Sequence, residues 1–280
     1  MVSAGGFPLG ADGAAAEACP TGERLAAVRR AYDLRGSRGA VIVERRPGGR
    51  LHPGELTRER GTVRNSAPPV ALAGSYLRDT RHVCAFFRSD DEEYEVLLPF
   101  IRDGFDCGDK ALHVLNPHQR HGHLRRLATA GIDTAAAEAR GQLEVRSNTD
   151  TYLPDGRFDQ QRMLETFERL AGGDAARGFA RSRIVCHMDW ASETRMLVDD
   201  VIEFESRVND VWSRHEDMVI CTYQLRHLSG DAVIDVVRTH PMVIIGGLLQ
   251  RNPFFVPPEH FLPEMRERRA SRTTQGAAAD

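Results

Sequence analysis

Lysine is nearly absent from this chain. Lys110 stands alone among 37 basic residues, so arginine carries almost all of the positive charge. We read that first as genomic base composition and only second as a binding device. The net charge is −3 over 280 residues, which gives no electrostatic basis for holding DNA or RNA non-specifically. No apolar run approaches the roughly 20 residues that a membrane-crossing helix needs. The N-terminus lacks the basic-then-apolar order of a secretion signal. The five cysteines (Cys19, Cys84, Cys107, Cys186 and Cys221) form no CxxC pair. Three of them lie in apolar strand-like runs, where cysteine usually acts as a small hydrophobe. No serine sits in a GxSxG turn, and nothing assembles a hydrolase triad. The expectation is a reduced, cytoplasmic, non-catalytic protein, with no membrane contact and no direct nucleic-acid binding.

A further absence is local. Residues 82–115 read HVCAFFRSDDEEYEVLLPFIRDGFDCGDKALHVL: a strand, a turn, a helix and a second strand. A phosphate-binding turn at this place needs close backbone approach, free amides and usually a lysine. Here the turn has no glycine before the helix, and residues 90–95 are acidic except for Tyr94. Carboxylates there oppose a triphosphate, so a Walker-type NTPase is not expected. Ser89 followed by Glu92 fits a capping box, and acids in a first turn complement the helix dipole. Tyr94, Leu97, Leu98, Ile101 and Phe105 give the helix an apolar stripe, and Pro99 is expected to kink it. A metal on Asp90, Asp91, Glu92 and Glu93 is the minor reading, because acidic first turns are common.

Residues 1–75 hold 12 of the 25 glycines, 6 of the 14 prolines and two aromatics, Phe7 and Tyr32. Such a segment is expected to be disordered or loosely attached. Residues 263–280 read as a polar tail that frays after a last helical turn. Between them, over 76–262, apolar strands alternate with amphipathic helices. Strands are expected at HVCAFF, ALHVLN, QLEVRSN, RIVCHMDW, MVICTYQL and MVIIGGLL. Helices are expected over 89–104, 118–130, 159–173, 192–212 and 230–240. That pattern predicts an α/β fold, with a mostly parallel sheet covered by helices on both faces.

The runs HVCAFF, EEYEVLLPFIRDGFDCGDKALHVLNP, LRRLATAGID, GQLEV, DGRFD, HMDW, FESRVN, ICTYQL, THP and NPFF occur in this order. In order and spacing they resemble the MEDS domain, a sensory domain named for methanogens, methylotrophs and the dichloromethane-responsive regulator DcmR. The stretch GFDCGDKALHVL also resembles the strand-two region of RecA/KaiC-type ATPases. The resemblance implies a RecA-like core without a functional phosphate loop. It implies sensing of a small organic ligand, with the signal passed on in transcriptional or two-component regulation. Residues 1–75 show no convincing helix-turn-helix, and no kinase-like segment follows residue 262. The expected output is therefore through a separate partner, such as a histidine kinase or a regulator. The alternatives are an interaction scaffold for a kinase or anti-sigma-type partner, and a residual nucleotide-binding ATPase.

Ligands of open parallel sheets sit beyond the carboxyl ends of the strands. That rule nominates Arg88 and Ser89, Asn116, Asp189 and Trp190, and Tyr223 and Gln224 as ligand-binding candidates. Trp190 is either a pocket wall or a cap over the core. His82, Cys84, Cys186, His187, Cys221 and His240 invite a zinc reading, but no local pairing supports it. Neighbouring buried thiols are the commoner outcome, so neither a metal nor another cofactor is expected. Glu205 and Asn209, four residues apart, share one face of the long helix.

Overall fold

A computed structural model describes residues 69–171, 177–179, 181–192 and 195–277. The loose extension expected before residue 69 lies outside the described residues. A hairpin comes first among the described residues. Strands β1 (Val70–Leu72) and β2 (Ser75–Leu77) pair antiparallel around a turn with Ala73 and Gly74 at φ 45° and 71°. This hairpin straddles the boundary that composition suggests at residue 76.

The main sheet has seven strands in the order β5-β4-β6-β7-β3-β8-β9. They are β3 (His82–Phe87), β4 (Lys110–Leu115), β5 (Leu143–Ser147), β6 (Ser182–His187), β7 (Met218–Gln224), β8 (Met242–Ile245) and β9 (Leu248–Arg251). All neighbours are parallel except β8 and β9. Central strands β3, β4, β6 and β7 are buried at every position, as expected of strands covered on both sides. The α/β class, with helices on both faces, is what the structure contains.

Helices α1 (Asp90–Asp106), α2 (Arg120–Thr129) and α3 (Thr134–Ala139) cover one face. There Leu97, Phe100, Ile101, Leu127 and Ala137 meet Val83, Ala85, Val185 and Ile220. Helices α4 (Asn148–Tyr152), α5 (Gln160–Leu170), α6 (Arg195–Arg207), α7 (Asn209–Trp212), α8 (Gly230–Thr239) and α9 (Pro258–Ala277) follow. From this second set Tyr152, Phe167, Phe204, Trp212, Val236 and Phe261 pack on Cys84, Phe86, Ile184 and Cys221. Helix α9 extends through much of the segment that reads as a tail, and it anchors by burying Phe261 and Met265.

Three departures from the sequence expectations have local causes. MVIIGGLL is not one strand but the hairpin β8–β9. Gly246 and Gly247 take φ 59° and 75°, the left-handed pair that a two-residue hairpin turn requires. The helix expected over 192–212 is interrupted at Val208, where the Asn209 amide donates back to the carbonyls of Glu205 and Ser206 at 2.9 and 3.0 Å. Such side-chain bonds compete with continuation of a helix. The α1 stripe is also offset. Its buried residues are Glu93, Leu97, Phe100, Ile101 and Gly104, and the helix continues through Pro99.

The Gly104 position has a steric reason. A Cβ there would lie 2.7 Å from Cδ of Arg183. Arg183, 2% exposed, threads under α1 and donates to Asp109 Oδ2 (2.8 Å), Asp103 Oδ2 (2.8 Å) and the Phe100 carbonyl (2.5 Å). Arg181 adds a second cation on Asp109 at 2.9 Å. The buried charge is thus paired and hydrogen-bonded, the condition under which an arginine can be buried.

Candidate functional site: a buried polar cluster at the carboxyl ends of the strands

The chain leaves β3 and β4 toward the α1–α3 face, and leaves β5, β6 and β7 toward the other face. Adjacent strands β4 and β6 therefore diverge, and so do β7 and β3. Open α/β sheets form a crevice at such points. The carboxyl halves of these strands direct His113, His187, Thr222 and Gln224 toward α1. All four are buried.

Glu93 of α1 meets them. Its Oε1 lies 3.2 Å from His187 Nε2, and its Oε2 accepts from Gln224 Nε2 at 3.0 Å. The backbone amide of Gln224 donates to Asp189 Oδ1 at 3.0 Å, and His227 Nδ1 stands 3.6 Å from the same oxygen. A second chain runs alongside. The Tyr94 hydroxyl is 2.6 Å from His123 Nδ1, and His123 Nε2 is 2.7 Å from His113 Nδ1. The rings of His123 and His187 meet edge-on at 6.5 Å, which joins the two chains. The Tyr94–His123–His113 chain can be ordered in either direction, because each imidazole nitrogen can donate or accept according to tautomer.

Burial sets the charge states. It raises the Glu93 carboxyl above its usual range, against the pull of His187, with Asp189 reinforcing the rise. Burial also lowers His113 to about 3, with His187 adding to it. His123 falls to about 2, from burial first and then the neighbouring histidines. Both imidazoles are neutral near pH 7, so this pair is a hydrogen-bonding device and not a cationic one.

The sequence-nominated residues divide. Asp189 and Gln224 join the Glu93 cluster. Arg88 is exposed and gives its backbone N–H to Glu92 Oε2 at 2.7 Å. Ser89 is the N-cap and accepts from the Glu92 amide at 3.2 Å. Asn116 accepts from the Asn148 side-chain amide at the ends of β4 and β5. Trp190 and Tyr223 lie on the opposite face of the sheet, buried with the second set of helices. Trp190 sits in a 3₁₀ turn after β6, not in the strand, and stacks on Tyr152 at 4.7 Å. Sequence reasoning missed Glu93, Tyr94, His113, His123 and His187 as a group. The spacing Glu93, Leu97, Phe100, Gly104 carried the signal for one of them, since it places an acid on the buried face of α1.

An open cavity of about 320 Å³ lies between α6 and α8. Val198, Leu228 and Ala232 form its apolar wall, and Asp199, Asp231, Asp235 and His227 its polar rim. His227 ties this cavity to the buried cluster through Asp189 and Gln224. The cluster joins carboxylates, a carboxamide, a phenol and imidazoles in one hydrogen-bonded group. The arrangement is suited to binding and to shifting hydrogen bonds.

Known proteins locate the chain among its relatives. The family profile described as "MEthanogen/methylotroph, DcmR Sensory domain" matches residues 81–241. The transcriptional repressor DcmR of Methylorubrum extorquens is 24% identical over 181 residues, which is 64% of this chain and 64% of that protein. The chain thus spans less than two thirds of that relative's length. A crystal structure of a KaiC-like protein from Pyrococcus horikoshii aligns at 14% identity with a TM-score of 0.41, covering 58% of this chain and 70% of that one. At that score the likeness carries no argument about function. No described helix is long and apolar enough to cross a membrane. The family match spans more than half of the sequence and includes Glu93, His113, His123, His187 and Gln224: this chain belongs to the MEDS family of sensory domains.

Proposed function

We propose that the protein is a non-catalytic regulatory sensor. A small organic ligand enters the cavity beside His227, and the buried Glu93 cluster reads its arrival. The carrying observation is the continuous polar path from the cavity rim to the core: His227, Asp189, Gln224, Glu93, His187. A volume of about 320 Å³ lies at the lower end of what ligand pockets offer, roughly 300–1,000 Å³. It favours a compact organic molecule over a nucleotide. The acidic first turn of α1, Asp90, Asp91, Glu92 and Glu93, also argues against phosphate as the ligand. The ligand biases the hydrogen-bond order at α1, and a separate regulatory protein reads the outer surface of that helix.

The test is thermal stability of the full chain against small organic compounds, chlorinated ones included, and against ATP. A ligand at roughly 100-fold excess over its dissociation constant stabilises by about 2.7 kcal/mol. A rise in melting temperature with an organic compound, lost in Ala232→Trp and retained in Trp190→Phe, supports the reading. A rise with ATP alone overturns it.

One observation favours a scaffold as the second reading. Ile245 and Leu248 at the β8–β9 edge are 54% and 48% exposed, and Phe254 is 67% exposed, an apolar group of the kind that partners cover. Partner capture lost in Leu248→Ser, with no ligand shift in the wild type, would select that reading.

A further inference from the structure

A second buried polar cluster lies on the other face of the sheet. It is assembled from the first residue of β3, the helix α6, the middle of β7 and the residue that caps α8. One donor atom from each of His82, Glu205, Cys221 and His240 lies within 4.8 Å of every other. His82, Glu205 and His240 are 2%, 1% and 0% exposed. Glu205 Oε2 is 3.3 Å from His82 Nε2 and 3.3 Å from His240 Nε2. Cys221 Sγ is 3.6 Å from His82 Nε2 and 3.7 Å from Glu205 Oε2.

These four separations match four of the six edges of a tetrahedron, and the other two, from His240 to His82 and to Cys221, are within 4.8 Å. Around a tetrahedral zinc ion, bond lengths of roughly 2.0–2.1 Å to nitrogen or oxygen and about 2.3 Å to sulfur set the edges. Two N or O donors then lie about 3.3 Å apart, and sulfur lies about 3.6 Å from either.

The outer partners fix which nitrogen of each imidazole faces inward. The Asn209 amide donates to the carbonyls of Glu205, Ser206 and Thr239 at 2.9, 3.0 and 2.8 Å. Its Oδ1 therefore faces His82 Nδ1, at 2.9 Å, and that nitrogen donates. His240 Nδ1 donates to the Val236 carbonyl at 2.9 Å. With Nδ1 carrying the proton in each ring, each Nε2 can present a lone pair, and both Nε2 atoms face the same carboxylate oxygen. Ligating histidines are held in this way, with the far N–H tied to a carbonyl or carboxamide oxygen. Among the described residues, Glu205 Oε1 and His240 Nε2 have no hydrogen-bond partner. Two lone pairs and a carboxylate converging inside an apolar core are mutually repulsive unless a cation stands between them.

We propose that His82, Glu205, Cys221 and His240 bind one structural zinc ion, with all four positions filled by the protein. Mixed nitrogen, sulfur and carboxylate donors in a closed tetrahedron suit zinc. The ion enters as the chain folds, and Cys221 gives up its thiol proton to the solvent at that step. It ties α6 and the entry to β8 onto the centre of the sheet. The sequence conceals this set because the four ligands come from four separate elements with no local spacing between them.

The experiment refolds the full chain from denaturant with Zn²⁺, with Co²⁺ or with EDTA, followed by desalting. The expected result is one Zn²⁺ per chain and a melting temperature several degrees above the EDTA sample. The Co²⁺ form should show the intense visible bands of tetrahedral cobalt and a thiolate-to-cobalt charge-transfer band. Cys221→Ser should lose the charge-transfer band, while Cys186→Ala should keep it. If refolded wild-type protein carries no stoichiometric metal and melts identically in EDTA, the cluster shares protons only and the proposal falls. It falls equally if the charge-transfer band survives Cys221→Ser.

Discussion

Acid should destabilise this protein through His113 and His123 well before its surface carboxylates matter. Folding lowers their pKa values from the ordinary 6.5 to about 3 and about 2. Each is therefore neutral in the fold and protonated in the unfolded chain at any pH between those values and 6.5. The unfolded state binds more protons throughout that window, so stability is full above about pH 6.5 and declines as pH falls through it. One proton corresponds to about 1.4 kcal/mol per pH unit. The pair together thus approaches about 2.7 kcal/mol per unit where both are fully protonated on unfolding. Glu93, raised by burial, works in the opposite sense between about pH 4.5 and its higher folded value, which is why the absolute slope is not diagnostic. The diagnostic quantity is a difference. Urea unfolding of wild type and His123→Gln between pH 7.5 and pH 5 should give slopes that differ by up to about 1.4 kcal/mol per pH unit, with wild type steeper. Equal slopes would show that His123 is protonated in the fold, and would refute the neutral Tyr94–His123–His113 chain.

Other perturbations test the packing. Trp190→Ala removes a buried ring stacked on Tyr152 and should cost about 3–5 kcal/mol by chemical denaturation. Gly104→Ala drives a methyl into the Arg183 side chain. It should cost about 1–3 kcal/mol, with Arg183→Met partly relieving it in the double variant. Gly246→Ala, at φ 59°, should cost about 1–2 kcal/mol without altering ligand response, since the turn lies on the sheet edge.

The parallel sheet was legible because its strands are continuous apolar runs and its helices carry stripes. HVCAFF and MVICTYQL are buried end to end, as two-sided burial requires. MVIIGGLL reads as one strand because its apolar run continues across the Gly-Gly pair, which in the fold takes the left-handed turn conformation. The candidate site was legible only near the carboxyl ends of strands, as at Asp189 just beyond β6 and Gln224 at the end of β7. Glu93, His113 and His123 were not, because each is polar at a position where periodicity predicts an apolar residue, and its partners are distant in sequence. The alternation of side chains along β6 and β7 also matters. It sends His187 and Gln224 to one face of the sheet and Met188 and Tyr223 to the other, so strand-end residues do not converge as a single set.

The lone lysine has a practical consequence. Lys110 is 4% exposed, and its ammonium is held 2.7 Å from Glu144 at the start of the central strand β4. Reagents that acylate or cross-link lysine therefore find no open lysine target on the folded molecule. Once β4 opens, one such target is released. The rate at which Lys110 becomes labelled is then a clock for the opening of the sheet itself, read at a single residue by mass spectrometry without any engineered probe.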